Sequence, residues 1–208
     1  MSAYLHTMSV IPEHIHQQLF TPEFTKRLNG YRPIEVFAEH QKKFDGDDPL
    51  SLIQYLDMKT YLPADILTKV DRASMAHSLE VRVPIIDHEF LGWANKIPSH
   101  LKLHGREGKH IFKKALEPWL PNDVLYRDKM GFGVPVSKWF RGPLKERLRD
   151  KVLNGALQPL NIFNQATLER LVDEHIRGTG EHSAALWALM MFEASIEKCL
   201  GINQDAAV

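Results

Sequence analysis

The stretch at residues 62–87, LPADILTKVDRASMAHSLEVRVPIID, constrains the fold of this chain more than any other. Its first half carries apolar residues at helical spacing: Leu62, Ile66, Val70 and Ala73. Pro63 stands where a first helical turn tolerates proline. The spacing predicts a helix with one buried apolar stripe.

Asp71 is the polar residue of this helix that needs an explanation. Asp65 and Lys69 fall on a charged side, as a favourable pair four residues apart. Asp71 instead projects between Leu67 and Met75, at the edge of the apolar stripe. A carboxylate in that place is partly desolvated unless it is paired. Two interpretations stay open: an ion pair with an arginine of the same domain, which is the commoner case, or a catalytic carboxylate.

The second half of the stretch places charges among β-branched residues. Glu80, Arg82 and Asp87 stand between apolar residues, and Pro84 biases Val83 toward an extended backbone. This pattern predicts a short extended segment, and the interpretation we favour is a buried salt-bridge knot that positions two helices. Asp87 also fits the N-cap of the helix that follows it.

The composition excludes several classes of protein. The chain has 208 residues, enough for one sizeable domain, and we treat residues 1–208 as a single domain. Lysine plus arginine and aspartate plus glutamate both number 26, and this balance argues against binding nucleic acid through bulk charge. The single cysteine, Cys199, excludes an internal disulfide and fits a reducing compartment. With no apolar run near 18 residues and no signal peptide, we expect a soluble, cytoplasmic chain.

The remaining apolar residues also repeat mainly at helical period. They predict helices at residues 11–20, 22–28, 34–43, 50–61, 88–97, 109–117, 139–152, 167–176 and 183–200. Residues 183–200 are the most apolar and are predicted to form a core helix. Strand signals are weak, at residues 81–85 and 101–103, and residues 121–137 form a long loop. The predicted fold class is mainly α.

Common catalytic motifs are missing from the sequence. GxxxxGK[ST], GxGxxG, HExxH and GxSxG do not occur. His14 and His16 are two residues apart and so lie on different faces of a helix. Cys199 lies in an apolar helix, which does not favour a reactive thiolate. The spacing therefore predicts no metal site.

Residues 126–135, YRDKMGFGVP, carry a cation in a loop that can move. Lys129 stands between Arg127 and two glycines, Gly131 and Gly133, which leave the backbone permissive. Such a cation suits the neutralisation of charge on a transferring phosphoryl or adenylyl group. An ordinary solvated lysine is the alternative.

These two stretches, together with GREGKHIFKKALEPWLPNDVLYRDKMGF, resemble a known family. They are similar to the C-terminal half of the synthetase domain of asparagine synthetase-type, glutamine-dependent amidotransferases, over residues 4–200. The resemblance implies a helical portion of an α/β ATP-pyrophosphatase (adenine nucleotide alpha-hydrolase-like) domain. In this family an N-terminal glutaminase releases ammonia, and the synthetase activates a carboxylate as an acyl-adenylate with ATP and Mg²⁺ before ammonia attacks it.

The resemblance assigns roles to individual residues. Lys129 matches the loop lysine that stabilises charge on the adenylate and pyrophosphate, with Arg127 beside it. Asp71 falls where relatives carry an acidic residue next to the synthetase site. Four further matches look like scaffold: Arg72, Glu80, Arg82 and Asp87. The residues after Lys129 look more like bacterial members associated with exopolysaccharide or exosortase loci, so the acceptor is aspartate by default and a sugar carboxylate or another acid otherwise.

Parts of the family pattern are missing. The sequence has no SGGxDS run, no acidic metal-binding motif and no N-terminal catalytic cysteine. Either the chain is a C-terminal fragment, which we favour, or a partner supplies the rest. We expect it to be inactive alone, to bind ATP and Mg²⁺ mainly through residues that it lacks, and to self-associate through an uncovered apolar face. The competing hypothesis is a non-catalytic helical interaction domain derived from this family.

Overall fold

The fold is mainly α-helical, as predicted. A computed structural model describes residues 2–128 and 133–201. The helices are α1 (Ser2–Met8), α2 (Glu13–Leu19), α3 (Pro22–Arg27), α4 (Ile34–Gln41), α5 (Pro49–Lys59), α6 (Thr68–Met75), α7 (His88–Ala94), α8 (Ser99–Lys102), α9 (His110–Leu116), α10 (Asn122–Leu125), α11 (Val136–Arg141), α12 (Lys145–Arg149), α13 (Gln165–Arg177) and α14 (Ser183–Leu200). Strands β1 (Leu103–His104) and β2 (Glu107–Gly108) pair antiparallel, with Leu103 opposite Gly108.

The described chain divides into two compact units. One comprises residues 33–128, and the other combines residues 2–32 with residues 133–201. The single domain over residues 1–208 stays a prediction.

The hydrophobic core lies in the second unit. Its buried residues come from α2, α11, α12, α13, α14 and the π-helical turn Asp150–Asn154, and they include Phe140, Leu148, Leu171 and Leu186. Full burial of such a side chain contributes about 1.5–3 kcal/mol. The prediction that residues 183–200 form a core helix is confirmed, with the same bounds. Only one side of α14 is covered, because Trp187 and Phe192 keep 39% and 40% of their surface exposed.

Capping explains where α13 begins and ends. Asn164 accepts a hydrogen bond from the Thr167 backbone N–H at 3.1 Å, as an N-cap does. At the other end Gly178 adopts a left-handed conformation with φ of 77°, which a glycine allows at little cost. The Thr167 hydroxyl donates to the Gln18 backbone oxygen at 2.9 Å and so ties α13 to α2.

The first unit buries much less of its surface. Leu56 in α5 is its one fully buried hydrophobic residue within 33–128. Asp48 caps α5 by accepting from the Ser51 N–H at 2.7 Å, and it also accepts from the Ser99 hydroxyl at 2.5 Å. These hydrogen bonds, with Ser99 the strongest, lower the pKa of Asp48 and link α5 to α8.

The stretch at residues 62–87 differs from its prediction in two ways. A π-helical turn over Leu62–Leu67 precedes α6, and the Thr68 hydroxyl donates to the Pro63 backbone oxygen at 2.8 Å. The predicted buried stripe is wrong: Leu62 is half-buried and Ala73 is exposed. The wider turn changes the register of the apolar residues, and the described unit offers little that could cover them.

The predicted strands and loop also need correction. Residues 81–85 form no strand, and a 3-10 turn over Pro84–Ile86 occupies the end of that range. Of residues 101–103, only Leu103 belongs to a strand. The predicted loop at residues 121–137 contains α10 and the start of α11, both short and each preceded by a proline.

Candidate functional site

Asp71 lies on the exposed surface of α6. Its backbone oxygen accepts from the Ser74 hydroxyl at 3.1 Å, and its carboxylate forms no ion pair with any residue of the described ranges. The structure therefore does not show the partial desolvation that the sequence pattern predicts. An exposed carboxylate is accessible to a ligand or a partner.

The predicted salt-bridge knot is wrong. Glu80 and Arg82 do pair, with Oε1 at 2.8 Å from both Nε and Nη2, but their side chains are 69% and 84% exposed. Arg72 is also exposed and joins no ion pair within the part of the chain that the structure describes. Nothing in the described unit covers this segment, so its charges remain hydrated.

Asp87 has the role that its position predicts. Its Oδ1 accepts from the backbone N–H groups of Glu89, at 2.9 Å, and Phe90, at 3.3 Å, at the start of α7. Bonds to Phe90 and then Glu89 lower the pKa of Asp87, because they favour the ionised carboxylate. Asp87 is therefore an N-cap.

Lys129 lies outside the described residues, but the chain just before it is anchored. The Tyr126 hydroxyl donates to Glu117 Oε1 at 2.6 Å, and Lys114 Nζ lies 2.8 Å from the same oxygen. Lys113 Nζ lies 5.1 Å from the centre of the Tyr126 ring. Hydrogen bonding to Glu117 raises the pKa of Tyr126. Arg127, next along the chain, is exposed.

A neighbouring group of titratable residues was not foreseen from the sequence. Glu107 Oε1 lies 3.2 Å from Lys113 Nζ, and its Oε2 lies 3.5 Å from His110 Nδ1. Partial burial opposes ionisation of Glu107, yet Lys113 and His110 outweigh it and lower its pKa. The rings of His104 and His110 lie 4.9 Å apart. The cluster of basic residues in GREGKHIFKK is the sequence feature from which this group could have been predicted.

Glu181 gathers polar contacts in the second unit. Its Oε2 accepts from the Ser137 hydroxyl and from Arg141 Nη2, both at 2.8 Å, and its Oε1 accepts from the Ser183 N–H at 3.2 Å. Hydrogen bonding to Ser183 is the largest cause that lowers the pKa of Glu181, to about 2. His175 is fully buried and accepts from the His182 N–H through Nδ1, at 3.2 Å. Burial lowers the pKa of His175. These contacts join α11, α13 and α14 as scaffold.

Glu193 is a buried carboxylate that was not predicted from the sequence, because the residues of α14 around it are mainly apolar. Its Oε1 accepts from the Ala156 N–H at 3.0 Å and lies 3.6 Å from Lys151 Nζ. Its Oε2 is buried without a hydrogen-bond partner among residues 2–128 and 133–201. Lys151 also pairs with Glu197. The group holds the turn after residue 154 against α14.

A surface pocket of about 320 Å³ lies in the second unit. Its walls include Thr21, Gln158, Asn161 and Asn164, and the residues that line it carry no formal charge. A pocket of this kind offers hydrogen bonds but no cation for a phosphate. None of the residues predicted as functional from the sequence lines it.

The described ranges contain no group of three or more His, Cys, Asp or Glu residues that could hold a metal ion. No helix in them is both long and apolar enough to cross a membrane.

Comparison with known proteins identifies the family. The sequence profile of asparagine synthase matches residues 3–197. The chain belongs to the asparagine synthase family. It is 30% identical to asparagine synthetase (glutamine-hydrolysing) 1 of Bacillus subtilis over 193 residues, which are 91% of this chain and 29% of that protein. It is 38% identical over 170 residues to a Mycobacterium tuberculosis protein provisionally named a glutamine-hydrolysing asparagine synthetase, covering 79% of this chain and 26% of that protein.

Membership of the asparagine synthase family fits the observed architecture, since a mainly helical chain suits a helical portion of the synthetase domain. The chain spans between a quarter and a third of the length of these two relatives. No solved structure matches it. The residues that the sequence resemblance singles out, Asp71, Arg72, Glu80 and Arg82, are all exposed in the described chain. Among the described ion pairs, Glu80 and Arg82 contact each other.

Proposed function

We propose that this chain acts as the C-terminal part of the synthetase domain of a glutamine-dependent, ATP-consuming amidotransferase of the asparagine synthetase type. In the complete enzyme, a carboxylate is activated as an acyl-adenylate and then amidated by ammonia. The observation that carries the proposal is the family match over residues 3–197, with relatives named as glutamine-hydrolysing asparagine synthetases. Aspartate is the default acceptor, and another carboxylic acid is the alternative.

We assign Lys129 and Arg127 the role of binding the phosphates of ATP. A lysine supplies a compact point charge on a flexible stem. Arg127, which is exposed, supplies another cation two residues earlier in the sequence. ATP with Mg²⁺ would supply the adenylyl group. The described residues offer ATP the cation of Arg127, and they hold no cluster of ligands for the metal. We therefore assign Mg²⁺ to other parts of the enzyme.

Tyr126 supports this assignment from the described side of the loop. Its hydrogen bond to Glu117 and the nearby ammonium groups of Lys113 and Lys114 fix the chain three residues before Lys129. A loop with a fixed stem limits the positions that its cation can reach. Such a restriction favours placing Lys129 against a bound phosphate.

The proposed partners are a glutaminase and the nucleotide-binding part of a synthetase domain, whether on the same polypeptide or on another chain. Relatives about three to four times longer than the matched region support this. Exposed apolar residues of the first unit, such as Trp93 at 60% and Trp119 at 78%, fit a surface that a partner covers. We place this enzyme in the cytoplasm.

Replacement of Lys129 tests the proposal. In the complete glutamine-dependent enzyme, Lys129→Ala should lower ATP-dependent pyrophosphate release by about 10²–10³, because one charge stabiliser of the transition state is lost. Glutamate release from glutamine should continue. Lys129→Arg should rescue poorly, since a planar fork does not replace a point charge. Steady-state assays of pyrophosphate and glutamate measure both reactions.

Lys96→Ala is the matched control, because Lys96 is exposed, lies in the first unit and belongs to neither predicted site. It should leave both rates unchanged. Near-normal pyrophosphate release by the Lys129→Ala variant would contradict this role and would mean that Lys129 is an ordinary solvated lysine.

One observation favours a second candidate function, a non-catalytic interaction domain. The motif residues Asp71, Glu80 and Arg82 are exposed, and they do not form a site among the residues that the structure describes. A scaffold role predicts that the Lys129→Ala and Asp71→Asn variants both keep full function in the complete assembly.

A further inference from the structure

We propose that the surface pocket of the second unit is a binding site for an uncharged, polyhydroxylated ring, which is the chemistry of a neutral sugar or a cyclic polyol. The inference does not rest on the enzymatic role. It rests on three properties of the pocket: the amide groups at its rim, the uncharged character of its lining and the hydrogen bonds that hold its frame.

The pocket, about 320 Å³ in volume, has an apolar interior and a polar rim. Leu157 and Leu168, each 2% exposed, lie deep in its wall, and Phe163 adds an aromatic ring. Gln158 and Asn161 are exposed and form part of the rim. Small-molecule sites share this construction and span about 300–1,000 Å³. A pocket at the lower end of that range suits a ligand of one ring.

Three side-chain amides of the pocket keep hydrogen-bonding groups available. Gln158 and Asn161 make no side-chain hydrogen bond within residues 2–128 and 133–201. Asn164 accepts from the Thr167 N–H at 3.1 Å through Oδ1, and its two side-chain N–H groups have no acceptor in the same ranges. A hydroxyl group both donates and accepts, so it can pair with either end of an amide. A ligand with several hydroxyl groups therefore matches this rim.

The lining of the pocket selects against a charged ligand. The residues that the structure describes along its walls carry no formal charge. A phosphate or carboxylate placed there would lose hydration without gaining a cationic partner, and an ammonium group would gain no carboxylate. Hydroxyl groups instead exchange hydrogen bonds with water for hydrogen bonds with the amides. The carbon face of a ring can pack against Leu157, Leu168 and Phe163.

Contacts between residues far apart in the sequence hold the frame of the pocket. The Thr21 N–H donates to the Ile162 backbone oxygen at 2.9 Å. The Thr21 hydroxyl, which is buried, donates to the Asn161 backbone oxygen at 2.8 Å. The Phe163 ring stacks on the Phe20 ring with 5.7 Å between their centres. The walls are therefore fixed in the chain itself, and a pre-formed site loses little conformational entropy when a ligand binds.

Titration of the ¹⁵N-labelled 208-residue chain, followed by NMR, tests the proposal. The neutral probes are methyl α-D-glucopyranoside and myo-inositol, and D-glucuronate is a charged probe of similar size. At least one neutral probe should shift the side-chain amide signals of Gln158, Asn161 and Asn164 saturably. Its Kd should be on the order of 1 mM, as expected for so small a ligand. D-glucuronate should bind at least about tenfold more weakly, because its carboxylate finds no cation.

Removal of single amides locates the site. Gln158→Ala and Asn161→Gly should each raise the Kd of the neutral probe about fivefold, because each removes a hydrogen bond to the ligand. Glycine keeps the left-handed backbone of Asn161, with φ of 51°, at little cost. Asn164→Ser keeps a side chain that can cap α13 but removes the amide N–H donors, and it should weaken binding to a similar extent.

Gln17→Ala is the matched control, because Gln17 is an exposed amide of α2 that does not line the pocket. It should leave the Kd unchanged. Circular dichroism should show the same helicity for all variants, since Gln158 and Asn161 are exposed and the serine retains a cap. The proposal is overturned if neither neutral probe gives a saturable shift up to about 50 mM. Binding of D-glucuronate as tight as that of the neutral probe overturns it as well, and so does a Kd that none of the three pocket variants changes.

Discussion

At the scale of single residues, Glu181 shows how contacts set a pKa and how that pKa sets stability. Its pKa falls from 4.5 to about 2, so the folded state favours the ionised carboxylate. A lowered pKa stabilises the fold at pH values above about 4.5, and this stabilisation disappears as the pH falls towards 2. The side chain is 56% exposed, so solvent screens the effect to about 1 kcal/mol.

Glu181→Gln should therefore lower the free energy of unfolding at pH 7 and change it little near pH 2.5. Urea unfolding at a series of pH values measures the difference between the variant and the original chain. Glu146→Gln is the control, since Glu146 is exposed and its side chain makes no hydrogen bond or ion pair within the described ranges. A Glu181→Gln difference that stays constant with pH would contradict this cause.

The Asp71→Asn substitution is expected to affect activity but not stability. Its exposed carboxylate makes no ion pair within the described chain, so Asp71→Asn should change the free energy of unfolding by less than about 0.5 kcal/mol. In the complete enzyme the same change should reduce amide synthesis, because the sequence resemblance implies a place for Asp71 beside the synthetase site. Thermal unfolding and amide formation are measured in parallel. A variant that unfolds easily, with a fully active folded fraction, would make Asp71 a scaffold residue.

At the scale of elements, the contact between α14 and the π-helical turn Asp150–Asn154 depends on a glycine. Gly155 has a φ of −82°, which any residue adopts, so space and not conformation requires it. A Cβ added there would meet the Glu193 carboxylate and the Lys151 backbone oxygen inside van der Waals contact.

Gly155→Ala should therefore destabilise the chain by about 2 kcal/mol, as overpacking does. Gly92→Ala is the contrasting control: a Cβ at this position inside α7 meets nothing within 4 Å. It should stabilise its helix by about 0.5–1 kcal/mol. Urea unfolding followed by circular dichroism compares the two. Equal effects of the two variants would show that the close approach at Gly155 is not maintained.

The elements that sequence predicts well are those that carry their own signals. The helix Ser183–Leu200 has a long apolar pattern, and the N-cap Asp87 needs only the residues that follow it. Burial depends on distant partners, and here the predictions fail. Leu62–Leu67 became a π-helical turn with a half-covered stripe, and Glu80 and Arg82 stayed exposed. The sequence therefore predicted which residues belong to the candidate site, but it did not predict that they are exposed to solvent.

At the scale of the whole molecule, the two units bury very different amounts of apolar surface. The second unit holds the core around Phe140 and Leu186, whereas in the first only Leu56 is fully buried among residues 33–128. A unit with so few buried contacts opens locally at low free energy. Amide hydrogens of α6 and α7 are therefore expected to exchange faster than those of α13 and α14.

The last prediction concerns the activity of the chain by itself. The sequence has no SGGxDS run and no GxxxxGK[ST] loop to hold pyrophosphate, and its one thiol, Cys199, is exposed near the end of α14. The proposed function implies that glutamine hydrolysis would use an activated N-terminal cysteine and that adenylate formation would use a phosphate-binding loop. The purified 208-residue chain should therefore produce neither glutamate from glutamine nor AMP from ATP. Coupled assays with aspartate, ATP and glutamine measure both products. Glutamine-dependent AMP formation that the Lys129→Ala variant loses would contradict the prediction, because a contaminating enzyme would not respond to that substitution.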